Sequence, residues 1–358
     1  MFTNMISQES IIDVSDPILV TGASGFIGAR VVRKLVEAGF RQIRCLVRPS
    51  SDTARLRHSL NGHSSVVAEE MISGNLLSRE DCLKATRDVA VVYHLAAGTG
   101  TKSFPDAYLN SVVTTRNLIE AAQQQNTLKR FVSLSSFAVY SNADKPLADV
   151  LDESAPVEPN PESRAEAYCY AKVKQDELIM QYGRERKLPY VLLRPGLVYG
   201  PGKSAIPGRV GTDSFGVFLH FGGRNRIPFT YVDNCADAIV LGGLKKGIDG
   251  EIFNIVDDDL PSSRQFLRLY KKNVRKLRSI YIPPLLSYLF CWAWEAYCRH
   301  SNEQLPPIYT RREWSAYWKK TNYTNEKLKR MLGWSPKISI TDGLNRYFEG
   351  CRTRRELA

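Results

Sequence analysis

The chain lacks a Cys-x-x-Cys pair and any uninterrupted apolar run of the ~20 residues that a membrane-spanning helix needs, and residues 1–16, with no basic start followed by an apolar run, give no expectation of a secretory signal. Its seven cysteines, Cys45, Cys82, Cys169, Cys235, Cys291, Cys298 and Cys351, are odd in number and scattered. That argues against a disulfide framework and against a zinc site, so no metal is expected and a reducing cytoplasm is the expected compartment. Acidic residues are also in deficit, with 37 Asp and Glu against 49 Lys and Arg and a net charge of +12. Such an excess suits anionic ligands, nucleic acid or an acidic membrane face. Much of it lies in Lys271-Lys272, Arg275-Lys276, Arg311-Arg312, Lys319-Lys320 and Arg352 to Arg355. No nucleic-acid-binding module accompanies these clusters, so nucleic acid is not an expected partner. With 43% hydrophobic and 24% charged residues over 358 positions, the chain is otherwise an ordinary globular one with enough length for a large core.

What is present begins at Ile18. Ile-Leu-Val-Thr-Gly-Ala-Ser-Gly-Phe-Ile-Gly, residues 18–28, reads as a buried strand passing through three spaced glycines into a helix. Gly22 permits the turn, Gly25 lets backbone approach a phosphate, and Gly28 lets helix pack on strand, with free N–H groups at the helix start facing an anion. Ile27, Val31 and Leu35 recur every four residues up to Gly39, a helix stop, and a second apolar strand runs from Ile43 to Val47. Further strands are expected at Val66 to Ile72, Val89 to Leu95 and Arg130 to Ser136, alternating with helices as a doubly wound parallel sheet requires.

The spacing Gly-x-x-Gly-x-x-Gly resembles the extended branch of the short-chain dehydrogenase/reductase superfamily, which holds nucleotide-sugar epimerases, dehydratases and 3β-hydroxysteroid dehydrogenases. The resemblance runs from Ile18 to Phe348, with several motifs in family order. It implies an α/β Rossmann-type doubly wound parallel sheet with a smaller, mainly C-terminal α/β substrate lobe. The expected division is an N-terminal tail at 1–16, a nucleotide-binding domain at 17–200 to which 228–256 return, and a substrate lobe at 201–227 and 257–350.

The resemblance also assigns chemistry. Ser-Ser-x-x-Val-Tyr at 135–140 makes Ser136 the hydroxyl that touches the reacting oxygen, with Ser135 a structural neighbour. Tyr168-Cys169-Tyr170-Ala171-Lys172 supplies a tyrosine and a lysine four apart, on one helical face; Asn160-Pro161 could cap and start that helix. A phenol with an ordinary pKa of about 10 is a poor base near neutrality, and a neighbouring cation lowers that value. Tyr170 and Lys174 share the spacing, but Asp176 stands four beyond Lys172, where the family has an acid, whereas Leu178 follows Lys174. Tyr168 and Lys172 are therefore the expected pair. Asn110 matches a family asparagine that holds a water next to the lysine. His94, closing an apolar strand, reads as a packed core histidine.

Expected contacts to the nicotinamide cofactor are Gly22, Ser24, Gly25, Phe26, Ile27 and Gly28 at the phosphates, and Asn75 and Leu76 at the adenine. Leu95, Ala96 and Ala97 should lie beside it, with Tyr168 and Lys172 and with Pro195, Gly196 and Val198 near the nicotinamide. NADP is expected over NAD, because Val47 stands where NAD-selective enzymes carry an acid and Arg48 follows it, with Arg44 and Arg55 as helpers. Asp233 could cap a helix. Residues 202–211, rich in glycine, read as a mobile substrate loop or as a plain surface excursion. Pro283 to Cys298 is unusually aromatic and reads as a buried helix over the substrate pocket, with an interfacial membrane helix as the alternative.

The function implied is NAD(P)-dependent hydride transfer at a secondary hydroxyl or carbonyl of a sugar, sterol-like or related small molecule. A nucleotide-sugar epimerase is the alternative, and a non-catalytic NAD(P)-binding regulator or scaffold is the reading from another class. A dehydratase is disfavoured, since Phe137 and Ala138 stand where that group carries Asp and Glu. A homodimer and a peripheral membrane contact both remain compatible with the chain.

Overall fold

A computed structural model describes residues 9–60, 71–98, 103–143, 145–146, 149–164, 166–203, 205–214, 216–301 and 309–356. Strands Ile18–Thr21 (β1), Ile43–Val47 (β2), Met71–Ser73 (β3), Val91–His94 (β4) and Arg130–Leu134 (β5) alternate with helices Gly28–Glu37 (α1), Ala54–Ser59 (α2), Arg79–Thr86 (α3), Phe104–Tyr108 (α4) and Thr114–Gln123 (α5). Residues 66–70 of the expected third strand lie outside the described residues. A two-residue strand, Val150–Leu151 (β6), precedes the long helix Ala167–Arg186 (α6). Then come Tyr190–Pro195 (β7), Leu197–Tyr199 (β8), Gly211–Ser214 (β9), Val217–His220 (β10), Phe229–Tyr231 (β11), Val232–Leu244 (α7) and Ile252–Ile255 (β12). The C-terminal part holds Ser263–Asn273 (α8), Ser279–Tyr281 (β13), Pro284–His300 (α9), Arg311–Tyr317 (α10), Asn322–Tyr323 (β14), Glu326–Leu332 (α11) and Ile340–Glu356 (α12).

Seven parallel strands form the main sheet in the order β12-β7-β5-β4-β1-β2-β3. Chain order reverses between β1 and β4, and the crevice beyond the carboxyl ends of those strands is where such a fold takes a ligand. All four residues of β1 are fully buried. Ile18 and Val20 enter one core cluster and Leu19 the opposite one, the period-two alternation of a strand covered on both faces. Truncating Leu19 to Ala would cost about 2–5 kcal/mol.

A third core cluster lies under β8 and β11 and the C-terminal helices, centred on Phe229, Phe266, Tyr347 and Phe348. A small sheet, β13-β10-β9, belongs to this side of the molecule.

Several local expectations change in the fold. Residues 9–16 are not a loose tail, because the Ile11 N–H bonds the Leu244 carbonyl and Ile12 is buried. Asn160-Pro161 opens a 3-10 turn, Pro161–Arg164, and α6 starts only at Ala167 after extended Glu166. Asp233 does not cap α7 but pairs with Arg33 on α1. At Ala205 the carbonyl accepts from the Tyr347 hydroxyl of α12 at 2.9 Å, and Val210 is fully buried, which leaves the reading of this stretch as a mobile loop or a surface excursion open.

The largest departure is α9. Only Ser287, Cys291 and Cys298 of it are buried, while Leu285, Leu286, Leu289, Phe290, Trp292 and Tyr297 stand 47–68% exposed. The helix does not cover a pocket with its aromatics. Its small and polar residues face inward, so the apolar content that suggests a core helix lies on the outside.

Candidate active site

The glycine turn is built by close approach. Gly22 sits at φ +69°, and a Cβ there would lie 2.8 Å from the Ala96 backbone nitrogen. A Cβ on Gly28 would come within 2.1 Å of the Gly22 carbonyl oxygen, so any side chain would push α1 off the turn. Ile27 precedes α1 without a side-chain cap, and the first turn of the helix holds no acid. Free N–H groups and an unopposed dipole at that end fit the pyrophosphate of a dinucleotide. Around the Phe26 ring stand three cations, Arg30 at 4.7 Å, Lys203 at 5.4 Å and Arg55 at 6.0 Å from its centroid.

Thr21 links this turn to the core. Its hydroxyl accepts from the Ala96 N–H at 3.3 Å and lies 2.8 Å from Nδ1 of His94. His94 Nε2 lies 2.8 Å from the Thr115 hydroxyl, which also receives the Gln175 amide at 2.7 Å and is bonded to the Ser111 carbonyl. The donor count assigns the tautomer: Thr115 spends its proton on Ser111, so Nε2 carries the hydrogen and Nδ1 accepts from Thr21. Burial and the nearby Lys172 cation hold His94 down at about 3. His94 is thus a core histidine, as its place at the end of β4 suggests, and it is fully hydrogen-bonded.

Lys172 is buried at the other end of this chain of bonds. Its Nζ donates to the Leu134 carbonyl at 2.5 Å and to Gln175 Oε1 at 2.8 Å. Burial pulls its pKa down to about 8, against the opposing influence of Asp176. One turn earlier stands Tyr168, partly buried, with Ser136 near enough to act on its phenol. Ser136 ends the β5 segment in extended conformation and accepts the Ala138 N–H at 3.1 Å, which fixes its oxygen and leaves its proton to donate. Burial pushes the Tyr168 phenol up to about 12, with Ser136 opposing the rise. This differs from the expected lowering: the lysine charge is spent on a carbonyl and an amide, and desolvation dominates.

Tyr170 is placed apart, its ring packed on Phe104 and Tyr108, and Lys174 pairs with Glu177 on the surface. Asp176 turns inward, accepting from the Ser135 hydroxyl at 2.9 Å and from Arg194. This buried pair, with Arg194 lying over the Tyr140 ring, anchors α6 to β7 behind the site.

Asn110 lies in a π turn, Leu109–Val113, and its side-chain amide donates to the Asp106 carbonyl at 2.8 Å. The partner that the structure brings to Lys172 is Gln175, one turn along the same helix. Sequence reasoning passed over Gln175, though its i,i+3 spacing from the lysine was a usable signal.

Asn75 and Leu76 follow β3, and the Asn75 side-chain oxygen accepts the Leu77 N–H at 3.0 Å. Leu95, Ala96 and Ala97 follow β4 against Gly22. Pro195 ends β7, and a Cβ on Gly196 would meet the Pro228 carbonyl at 2.1 Å. Val198 lies in β8, paired with β11. Ser24 and Gly25 lie in the turn, where the Gly25 N–H bonds the Gly22 carbonyl. Arg48 is exposed just past β2. Arg44 is not a helper there, since its guanidinium donates to the Ala85 and Arg87 carbonyls, both at 2.8 Å. Among the described residues no group of His, Cys, Asp and Glu could hold a metal.

The model of the NAD dependent epimerase/dehydratase family matches residues 18–255, and the chain belongs to this family. It is 28% identical over 250 residues to a trifunctional UDP-glucose 4,6-dehydratase/UDP-4-keto-6-deoxy-D-glucose 3,5-epimerase/UDP-4-keto-L-rhamnose-reductase of Arabidopsis thaliana, covering 66% of this chain and 36% of that protein. The chain thus spans only about a third of the length of that relative. It is 25% identical over 348 residues to the dTDP-D-glucose 4,6-dehydratase of Homo sapiens, covering 94% of this chain and 89% of that one. The fold matches that of UDP-glucuronic acid 4-epimerase from Bacillus cereus in complex with UDP-glucuronic acid and NAD, with TM-score 0.69, 23% identity and coverage of 96% and 100%.

Proposed function

We propose that the chain is an NAD(P)-dependent oxidoreductase that transfers hydride at a secondary hydroxyl or carbonyl of a small molecule. The observation that carries this reading is the placement of Ser136, just past the carboxyl end of β5, beside Tyr168 at the start of α6, with buried Lys172 one turn further along. A bound nicotinamide would supply the hydride acceptor or donor beside this site. Ser136, its oxygen held by the Ala138 N–H, donates to the substrate oxygen. Tyr168 then moves the proton on that same oxygen, and drawing Lys172 toward the phenol on binding would offset the desolvation that now holds the phenol high.

A nucleotide-sugar epimerase is the second reading, favoured by the epimerase activities named for the Arabidopsis thaliana relative and the Bacillus cereus enzyme. Phe137 and Ala138 do not support a dehydratase: the Phe137 ring packs on Tyr323 and Tyr140, and neither residue has a side chain that can transfer a proton. The test is incubation with oxidised and reduced cofactor and a panel of nucleotide sugars and other secondary alcohols. Net change in cofactor absorbance supports the dehydrogenase. Inverted product without net change supports the epimerase, and neither outcome leaves the regulator.

For the cofactor the reading is NADP over NAD. Support comes from Val47 in place of an acid, exposed Arg48 beyond it, and Arg55 near Phe26. Titration of both reduced cofactors should show tighter NADPH binding, weakened in Arg48→Ala; equal affinities would refute it. A reducing cytoplasm is the compartment assumed, and the seven cysteines, all buried and none disulfide-bonded, are consistent with it.

A further inference from the structure

Helix α9 has its amphipathicity inverted. Its inward face carries Ser287, which receives the Trp314 indole N–H at 2.8 Å, and Glu295, which accepts from the Arg311 backbone and side chain at 2.6 and 2.7 Å. Outward, at helical spacings of three and four, stand Leu285, Leu286, Leu289, Phe290, Trp292 and Tyr297. Ile280, just before the helix in β13, is also exposed. A contiguous apolar face of this kind marks a surface that meets another phase or molecule.

The charge around this face says which. From Leu260 to Trp294 there is no Asp or Glu, while Arg264, Arg268, Lys271, Lys272, Arg275, Lys276 and Arg278 are all in that stretch. Lys272, Arg275, Lys276 and Arg278 are exposed ahead of the helix, and exposed Arg299 and His300 close it. The outward face itself carries no charge before Arg299. Leucines with Trp, Phe and Tyr, bordered by cations at both ends, fit the boundary between acyl chains and anionic headgroups. No described helix is long and apolar enough to cross a membrane, so a helix lying in the plane of the interface is the matching geometry.

We propose that α9 docks the enzyme on an anionic lipid bilayer, its outward residues entering the acyl boundary and the flanking basic residues pairing with headgroups. Docking there is compatible with access to the site. Helix α9 packs on α10, and the Tyr317 hydroxyl at the end of α10 donates at 2.8 Å to Glu166, two residues before Tyr168. The proposal does not depend on which reaction the site performs.

The test is co-sedimentation of the full-length protein with phosphatidylcholine vesicles, either pure or containing roughly a third phosphatidylglycerol. Binding should require the anionic lipid. Trp292→Glu should abolish it, and Arg275→Glu with Lys276→Glu should weaken it by about tenfold or more, because each basic residue near an anionic surface contributes about a fivefold factor. These side chains are exposed, so the variants should keep the wild-type melting temperature and cofactor affinity. Absence of sedimentation with anionic vesicles, or full binding by Trp292→Glu, would overturn the proposal. So would a lipid-free dimer in analytical ultracentrifugation that Trp292→Glu converts to monomer, since a second copy would then cover the face.

Discussion

Lys172 and Gln175 lie one turn apart on α6 and share a 2.8 Å hydrogen bond that ties the lysine to Thr115 and, through it, to His94. The bond satisfies a buried ammonium that has only the Leu134 carbonyl as its other described partner. Replacing Gln175 with Leu removes the acceptor for Lys172 and the donor to Thr115 together. The expected loss is about 1–3 kcal/mol of stability, read by urea unfolding. Gln175→Glu should keep the lysine partner and raise the Lys172 pKa, moving any alkaline limb of the pH–rate profile upward.

Tyr168→Phe should lower turnover by about a hundredfold or more, the scale of lost general acid–base catalysis, with cofactor affinity retained. Tyr170→Phe keeps the ring that packs on Phe104 and Tyr108 and should leave turnover within about twofold of wild type. Reversed outcomes would mean that the second tyrosine–lysine pair is the working one.

Gly28→Ala tests the phosphate turn. Its Cβ would fall 2.1 Å from the Gly22 carbonyl oxygen, so α1 must shift and its N-terminal N–H groups with it. Dinucleotide affinity should drop more than tenfold, with about 1–3 kcal/mol of lost stability, measured by fluorescence titration and urea melts.

His94 sets an acid limb on stability. Its pKa is near 3 in the folded chain against an ordinary 6.5, so between these values the unfolded state binds more protons and stability falls as pH falls. The contribution is complete above pH 6.5 and is lost progressively toward pH 3. The expected slope is about 1.4 kcal/mol per pH unit below that point, and His94→Asn should flatten it. Parallel wild-type and variant curves from pH 6.5 to 5 would refute the assignment.

Much of the dinucleotide half was readable because its constraints are local. Gly22, Gly25 and Gly28 answer to backbone conformation and close approach, and Ile18 to Thr21 is so apolar that only a covered strand accommodates it. The preference for Tyr168 over Tyr170 rested on Asp176, and the fold turns Asp176 inward to Arg194 and Ser135. Charge placement was less readable. Arg44, Arg48 and Arg55 look alike as residues within a dozen positions, and only packing sends Arg44 to the Ala85 and Arg87 carbonyls.

By itself the sequence determined the alternation of strands and helices, the glycine turn and the order of the Ser136, Tyr168 and Lys172 motifs, since these depend on neighbours a few residues apart. Tertiary structure alone decided the electrostatic state of that site. The Lys172 pKa near 8 and the Tyr168 pKa near 12 come from burial among residues drawn from β5, α5 and α6. It also decided which way α9 faces: the same aromatic run suits a core or an interface, and Ser287 and Glu295, bonded to α10, turn the leucines and Trp292 outward.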